Sequence, residues 1–429
     1  MSKTLNNNNI YIIPISVDDD GWIVYAPLHG LMFWANTEAV KIINKHFDNG
    51  GVMPVNCEKL TSNLERIIEK PTVPLKTQKL VMSDSAVIIL SQKCNLSCTY
   101  CYAQESRSSD TITKSKLKTV IDFILSTSNK KKSFSFIGGG EPTVTWELLE
   151  WAVEYIREKS MIFSIKTQIT LTTNATLLTL ERISWLKMNK VNVGVSFEIL
   201  PEIQNLQRCF PNKSINSFEI VDECIKLLIA NWKPPSIRST ITPQNVFLMK
   251  DMVAFVSEHY PEIKRLHFEH VTDLQLEQKN YYDSFYSQFF IARTFARENG
   301  MELNNSIINS TNRLKSRFCA GEFCITPNGE LVSCHRVSSS EEELFDKFFY
   351  GNVGEKIIID DKALENVEYY NNFKPSLCSD CFAQWHCAGA CPYKRHLFNP
   401  NQLSVYCEFT KKMIAKELEV KLNSQNIKT

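Results

Sequence analysis

Net charge is nearly absent from this chain: 48 Lys and Arg stand against 47 Asp and Glu in 429 residues, leaving a formal +1. So balanced a chain lacks the basic field that nucleic acid or an anionic bilayer would call for, and neither is expected as a partner. Long apolar runs are missing too. Nothing approaches the roughly 20 consecutive apolar residues of a membrane span. The start, Met1 to Leu5 followed by four Asn, has no apolar core of signal-peptide type, so a cytoplasmic protein is expected. There are no internal repeats and no extended low-complexity tracts. Fourteen cysteines in such a chain argue against disulfides, because reducing compartments keep thiols free, and for metal ligation. At this length two or three domains with sizeable cores are expected.

Residues 9 to 34 read as three short strands, Asn9 to Val17, Trp22 to Tyr25 and Gly30 to Trp34, separated by an Asp-Asp-Asp-Gly turn. Helices follow at Thr37 to Phe47, stopped by Asn49-Gly50-Gly51, and at Glu58 to Ile68, and a segment with Pro71 and Pro74 leads out. From Ser85 strands alternate with helices. The strands predicted are Ala86 to Leu90, Ser133 to Ile137, Lys166 to Thr172, Asn192 to Phe197, Ser236 to Thr242 and Arg265 to His270. The helices between them are Ser115 to Ser126, Trp146 to Lys159, Leu177 to Met188, Ser217 to Asn231 and Val246 to His259. Six such units predict an α/β fold whose parallel sheet curls into a partial TIM-like (β/α)6 barrel, with functional loops at the carboxyl ends of the strands. A long helix, Leu274 to Asn299, closes it. Residues 313 to 410 show short irregular segments of the kind that metal holds together, and Glu408 to Leu422 reads as a last helix. Lys130 to Lys132 and Glu341 to Glu343 read as solvated loops.

The loop after the first barrel strand runs Lys93-Cys-Asn-Leu-Ser-Cys-Thr-Tyr-Cys-Tyr102, which places Cys94, Cys98 and Cys101 close enough to share one metal cluster. An iron-sulfur cluster is ordinarily held by four thiolates, so three leave one iron open to bind a small molecule. A zinc site is the alternative that the loop alone leaves open. The spacing, with Tyr100 just before the third cysteine, resembles the radical S-adenosylmethionine (SAM) enzymes. Gly138-Gly139-Gly140-Glu141-Pro142, at the end of the next strand, is similar to the motif by which that family holds the SAM amino group; read alone it is a Gly-rich turn. The resemblance implies SAM contacts from Gly139, Gly140 and Glu141, and from Tyr100. It further implies contacts from Asn174, in a Thr-Asn-Ala-Thr turn where relatives have Thr-Asn-Gly-Thr. Ser196 and Glu198 stand where relatives usually read Ser-Leu-Asp-Gly and contact the ribose. Arg238 matches an Arg that pairs with the SAM carboxylate, a role its planar fork suits as well as it suits a structural ion pair.

Near the other end Cys319, Gly329, Cys334, Cys378, Cys381, Cys387, Cys391 and Cys407 match the spacing of the seven-cysteine SPASM domain, and Cys324 adds an eighth thiol. By similarity to sulfatase-maturing relatives, Cys319, Cys324, Cys334 and Cys391 are assigned to one auxiliary cluster and Cys378, Cys381, Cys387 and Cys407 to the other. That makes three 4Fe-4S clusters, with two structural zincs as the alternative for the C-terminal pair. Cys57, Cys209 and Cys224 receive no role. His335, beside Cys334, stands where sulfatase-maturing enzymes carry an acidic base. It reads as a histidine hydrogen-bonded beside the cluster, and the missing acid argues against sulfatase maturation. No catalytic residue is assigned.

The domains expected are a winged-helix-like leader-peptide domain (1–80), the radical SAM partial barrel (85–310), the SPASM domain (313–410) and a C-terminal helix and tail (411–429). The resemblance implies a 5′-deoxyadenosyl radical that abstracts hydrogen from a ribosomally made precursor peptide bearing a leader. The outcome would be a thioether or carbon-carbon cross-link, with a flavodoxin or ferredoxin as electron donor. The alternatives are oxidation of an enzyme's active-site residue, as in sulfatase maturation or quinone cofactor assembly, and a metal-stabilised binding or regulatory protein. A chain starting near Ser83 is expected to keep its clusters.

Overall fold

Alternating apolar residues set the pairing of the N-terminal strands. The computed structural model describes residues 3–5, 9–15, 21–48, 58–68, 72–74, 80, 84–272 and 278–426. The end of the first predicted strand, the acidic turn at 18–20, the stop at 49–51, Cys57, Pro71 and residues 274–277 lie outside them. Strands β1 (Lys3–Leu5), β2 (Ile10–Pro14), β3 (Gly21–Ala26) and β4 (Leu31–Asn36) form an antiparallel sheet in sequential order, one strand more than the sequence suggested. One face carries Ile10, Ile12, Val24 and Ala26, packed with Ile43, Leu64 and Ile67 of the helices Thr37–Asp48 and Glu58–Ile68. The other face carries the cross-strand pairs Tyr11 with Tyr25 and Ile13 with Ile23, all buried. A sheet dry on both faces needs a cover on each.

The second cover comes from far along the chain. Residues Met1–Thr77, Ser306–Cys319 and Asn372–Thr429 make one compact unit, and Gln78–Asn305 with Ala320–Asn371 make the other. Within the first unit the helix Pro400–Asn426 packs on the helix Ser306–Ser310 and on β4. It begins eight residues before the predicted Glu408, at a Pro whose missing N–H costs nothing in a first turn, and so Cys407 lies within it.

In the second unit β5 (Ser85–Ile88), β6 (Lys131–Phe136), β7 (Lys166–Thr173), β8 (Val191–Ser196), β9 (Ser236–Ile241), β10 (Arg265–His270) and β11 (Glu302–Asn304) lie side by side in chain order, all parallel. Sequential order of parallel strands with helical crossovers is the barrel arrangement. Here it stays open. The free side of β5 is extended by β12 (Cys324–Ile325), parallel to it, and then by antiparallel β13 (Glu330–Val332), β14 (Phe349–Val353) and β15 (Ile357–Ile359). Part of the segment read as irregular is thus sheet, and Asp361–Asn372 is a three-turn helix. Thr113, Thr179 and Asn216 cap the helices after them by accepting from the N–H three residues on.

Lys132 departs from the solvated loop expected. It is the second residue of β6 and its side chain is fully buried, with the ammonium 2.6 Å from Asp84 and donating also to Thr127. These contacts hold the Asp84 carboxyl below its ordinary value against the opposing effect of burial. The pair's contribution is therefore present above the ordinary aspartate pKa and lost as pH falls through the lowered one. Asp84→Asn strands a buried ammonium at the end of the strands away from the site, so a loss of about 3 kcal/mol in urea denaturation is expected.

Candidate functional site

The cysteine loop leaves the carboxyl end of β5 and is fixed from several directions. Ser97 N donates to Cys209 O at 2.7 Å and Thr99 N to Gln207 O at 2.9 Å, so Cys209, given no role from sequence, braces the loop. Gly140 N and Glu141 N donate to Ser91 O and Lys93 O, both at 2.8 Å. A Cβ on Gly140 would stand 1.9 Å from Lys93 O, and Gly138 and Gly139 have φ of +92° and +60°, so both close approach and left-handed backbone require this glycine run.

Two arginines not singled out from the sequence stand beside the thiols. Arg107 Nη2 stands 3.5 Å from Cys101 Sγ, and Arg208 Nη1 stands 3.7 Å from Cys98 Sγ. Burial pushes the Cys94 thiol up and the Cys98 thiol up to about 11, while Arg208 draws the latter down. Buried thiols beside guanidiniums are a donor set made for ligation as thiolates, whose charge the metal and the arginines then offset. Three sulfurs in one loop fit a four-iron cluster with one iron open.

The residues expected to touch SAM are gathered here in unequal postures. Glu141 is nearly inaccessible, and its carboxylate accepts from Thr143 N (3.0 Å), Thr143 Oγ1 (2.6 Å), Thr173 Oγ1 (2.6 Å) and Asn174 N (2.7 Å). The two bonds from Thr173 and Asn174 staple the Gly-rich turn to the Thr-Asn-Ala-Thr turn, and the two from Thr143 hold the Gly-rich turn itself. Asn174 Nδ2 reaches Asn95 Oδ1, inside the cysteine loop, at 2.9 Å, and Ala175 adopts φ +64° where a glycine would be unstrained. Glu198 is wholly buried. It accepts from Tyr100 Oη and from Thr240 N (2.9 Å) and pairs with Arg208 Nε at 3.5 Å, so it anchors the loop's aromatic residue and its arginine. Burial pushes it up to about 7 against the pull of Arg208, Tyr100 and Thr240. Ser196 is half-buried at the end of β8, paired in register with Arg238 of β9. Arg238 is about half exposed, with its guanidinium 3.9 Å from Glu269.

His335 lies against the same turn: a Cβ on Gly138 would meet His335 O at 3.2 Å. The imidazole Nδ1 is 2.9 Å from the Glu322 carboxylate, which also accepts from His335 N at 2.7 Å. These bonds hold Glu322 below the usual carboxylate range despite its burial. An acidic side chain, that of Glu322, therefore lies beside His335 although position 335 itself carries none. Cys324 and Cys334 belong to this unit, Cys319 and Cys391 to the other.

In the first unit Cys378, Cys381, Cys387 and Cys407 line one cavity together with Thr410 and Lys411. Thr410 Oγ1 is buried there without a partner. The backbone bends round it through three successive left-handed residues, Ala388, Gly389 and Ala390, a strain that persists only where the surroundings demand it. Burial raises all four thiols, Cys407 to about 11 and Cys387 to about 12. Four thiols lining one cavity, with an unmet polar atom among them, fit a cluster. Among the described residues no three ligating side chains close on a point as they would round a single ion.

Residues 88–255 match the model of the radical SAM superfamily. The chain carries a radical SAM domain. It is 28% identical over 170 residues to an uncharacterized protein of Methanocaldococcus jannaschii, a match spanning 40% of this chain and 57% of that relative. It is 22% identical over 396 residues to the radical SAM cyclopropyl synthase TigE of Paramaledivibacter caminithermalis, covering 83% of this chain and 77% of that one. With the cysteine-type anaerobic sulfatase-maturating enzyme of Clostridium novyi it shares 22% identity over 370 residues, 76% of this chain and 93% of the other. Among solved structures, anSMEcpe with bound AdoMet superposes with a TM-score of 0.66 at 22% identity, over 79% of this chain and 99% of that one. The superfamily brings with it SAM and a four-iron cluster, for which Cys94, Cys98 and Cys101 are the fitting ligands. Among the described residues no helix is long and apolar enough to cross a membrane.

Proposed function

We propose that this chain is a radical SAM maturase that oxidises a ribosomally made precursor peptide, working in the cytoplasm with two auxiliary four-iron clusters and a flavodoxin or ferredoxin as electron donor. The observation that carries the peptide reading is the N-terminal sheet, whose order leaves β1 and β4 at its edges, where an extended leader can add as a further strand. The similarity to a cyclopropyl synthase supports an oxidative bond-forming outcome. When bound, the cluster and SAM supply a 5′-deoxyadenosyl radical. The chain's own part is to hold the cysteine loop through Glu198, Arg208 and Arg107, to join the turns that cradle SAM through Glu141 and Asn174, and to keep the site from water.

A second reading, oxidation of a cysteine in a sulfatase-type protein, draws on the C. novyi relative and on the Glu322–His335 pair beside the Gly-rich turn. Anaerobic turnover separates the two. The expected result is a product two hydrogens lighter per modification, with one 5′-deoxyadenosine per event, from a short peptide encoded beside the gene. Modification of a sulfatase-derived cysteine peptide, with the neighbouring peptides untouched, would replace the first reading by the second.

Placement of SAM is testable apart from turnover. Arg238→Ala is expected to weaken SAM binding by about 1.5 to 3 kcal/mol, the worth of a charged hydrogen bond. Glu141→Ala should do at least as much, because four donors lose their acceptor and both turns loosen. Iron content should be unchanged in each. Equal SAM affinity in wild type and both variants, by equilibrium binding, would remove these residues from the SAM site.

A further inference from the structure

Beyond its two faces, the N-terminal sheet contributes polar side chains to one short stretch of chain, Gln384-Trp385-His386, which lies between Cys381 and Cys387. Tyr25 Oη bonds His386 Nε2, and His386 Nδ1 lies 3.2 Å from both Ser310 O and Arg313 O. Carbonyls only accept, so Nδ1 carries the proton, Nε2 is the acceptor and Tyr25 is the donor. One ring orientation and one tautomer are thereby fixed. Asn9, in the left-handed conformation at φ +55°, offers Oδ1 to Gln384 Nε2 at 2.9 Å, to Trp385 Nε1 at 2.8 Å and to Tyr11 Oη at 3.1 Å. Gln384 Nε2 also reaches Tyr11 Oη at 2.5 Å. Tyr11, Tyr25 and His386 are all buried. The bonds of Tyr25, Asn9 and Tyr11 to His386, Trp385 and Gln384 join the N-terminal segment to a loop whose flanking cysteines line the four-thiol cavity.

We propose that Tyr25 and Asn9 are positioning residues of the auxiliary site: through His386, Gln384 and Trp385 they fix the 381–387 loop and so set the electronic environment of the cluster held by Cys378, Cys381, Cys387 and Cys407. The proposal rests on the reading of that cavity as a cluster site. It makes the N-terminal domain part of the electron-transfer apparatus as well as a place for peptide to dock. The physical basis is that a cluster's potential follows the hydrogen bonding, solvent access and ligand orientation that its surroundings impose. The loop between two ligands controls all three, and the sheet controls the loop.

The experiment uses the full chain, reconstituted anaerobically with iron and sulfide, and reads electron paramagnetic resonance during a redox titration. Cys407→Ala is expected to lose about four irons and one auxiliary signal, which identifies that signal. Tyr25→Phe keeps the ring and removes only the hydroxyl, and Asn9→Ala removes the acceptor of the other links. Both should retain wild-type iron and SAM cleavage. Both should move the midpoint potential or g-values of the signal identified by Cys407→Ala, or abolish it alone, with the others unchanged. That signal remaining identical to wild type in both variants overturns the proposal, as does an equal change in every signal. Cys407→Ala retaining all its iron overturns instead the cluster reading on which the proposal stands.

Discussion

Deleting the first 82 residues is expected to cost the enzyme the auxiliary cluster of its C-terminal segment, and with it much of the solubility of residues 372–426, although every cysteine between 94 and 407 remains. The sequence alone suggested the opposite, a detachable docking module. The difference comes from burial. Tyr11, Ile13, Ile23 and Tyr25 present a dry face, and removing them uncovers what they pack on. At roughly 25 cal/mol per Å² of apolar surface, uncovering several large side chains costs several kcal/mol. Loss of the hydrogen bonds that Gln384 and Trp385 donate to Asn9 and that His386 accepts from Tyr25 adds about 1 kcal/mol each. Against a total stability on the order of 5 to 15 kcal/mol, that loss suffices to unfold the segment. The cysteine loop after β5 depends on none of this, because its braces, Cys209, Gln207, Arg208 and Glu198, lie within residues 78–305. Iron per chain should fall from about twelve to no more than about eight while some SAM cleavage persists. A truncated protein with full iron and an unchanged thermal midpoint would show that the sheet is dispensable and that the Tyr25 and Asn9 contacts are incidental.

What could be read from sequence divides along physical lines. The barrel strands were legible to within two residues at most ends, since a buried parallel strand is a short β-rich run between helical periods and both signals are local. Strands of two or three residues, such as Cys324–Ile325 and Ile357–Ile359, carry no period at all, and the place of Cys324–Ile325 beside β5 is set by pairing across more than 200 residues. The return of residues 372–426 to the N-terminal sheet has no local signal either. The same holds at the site. Cysteines with characteristic spacing announce themselves, and Arg107, six residues past Cys101, could have been found by asking what neutralises three thiolates. Arg208 and Glu322 could not, because each reaches the site from a distant element. Glu198 and Glu141 stood out as SAM contacts, but sequence could not tell a carboxylate that faces a cofactor from one already saturated by protein donors.

The triple substitution Cys94→Ala, Cys98→Ala, Cys101→Ala carries the largest expected effect on chemistry. Radical formation needs an iron with an open position, and the loop offers no further thiol once these three are gone, since Cys209 gives its Sγ to Ser97 O at 3.3 Å and lies outside the loop. SAM cleavage should fall below detection, with a loss of about four irons. The fold should survive. Glu198 still pairs with Arg208 and accepts from Tyr100 and Thr240, so the guanidinium facing the emptied sulfur positions keeps a buried counter-charge. The four-thiol cavity lies in the other unit and keeps all its ligands, so about eight irons and the auxiliary signals should remain. Residual 5′-deoxyadenosine formation by the triple variant would mean that the radical arises elsewhere in the chain. Loss of all iron would mean that the three sites do not assemble independently, and stoichiometric zinc in wild-type protein purified without air would remove the radical mechanism altogether.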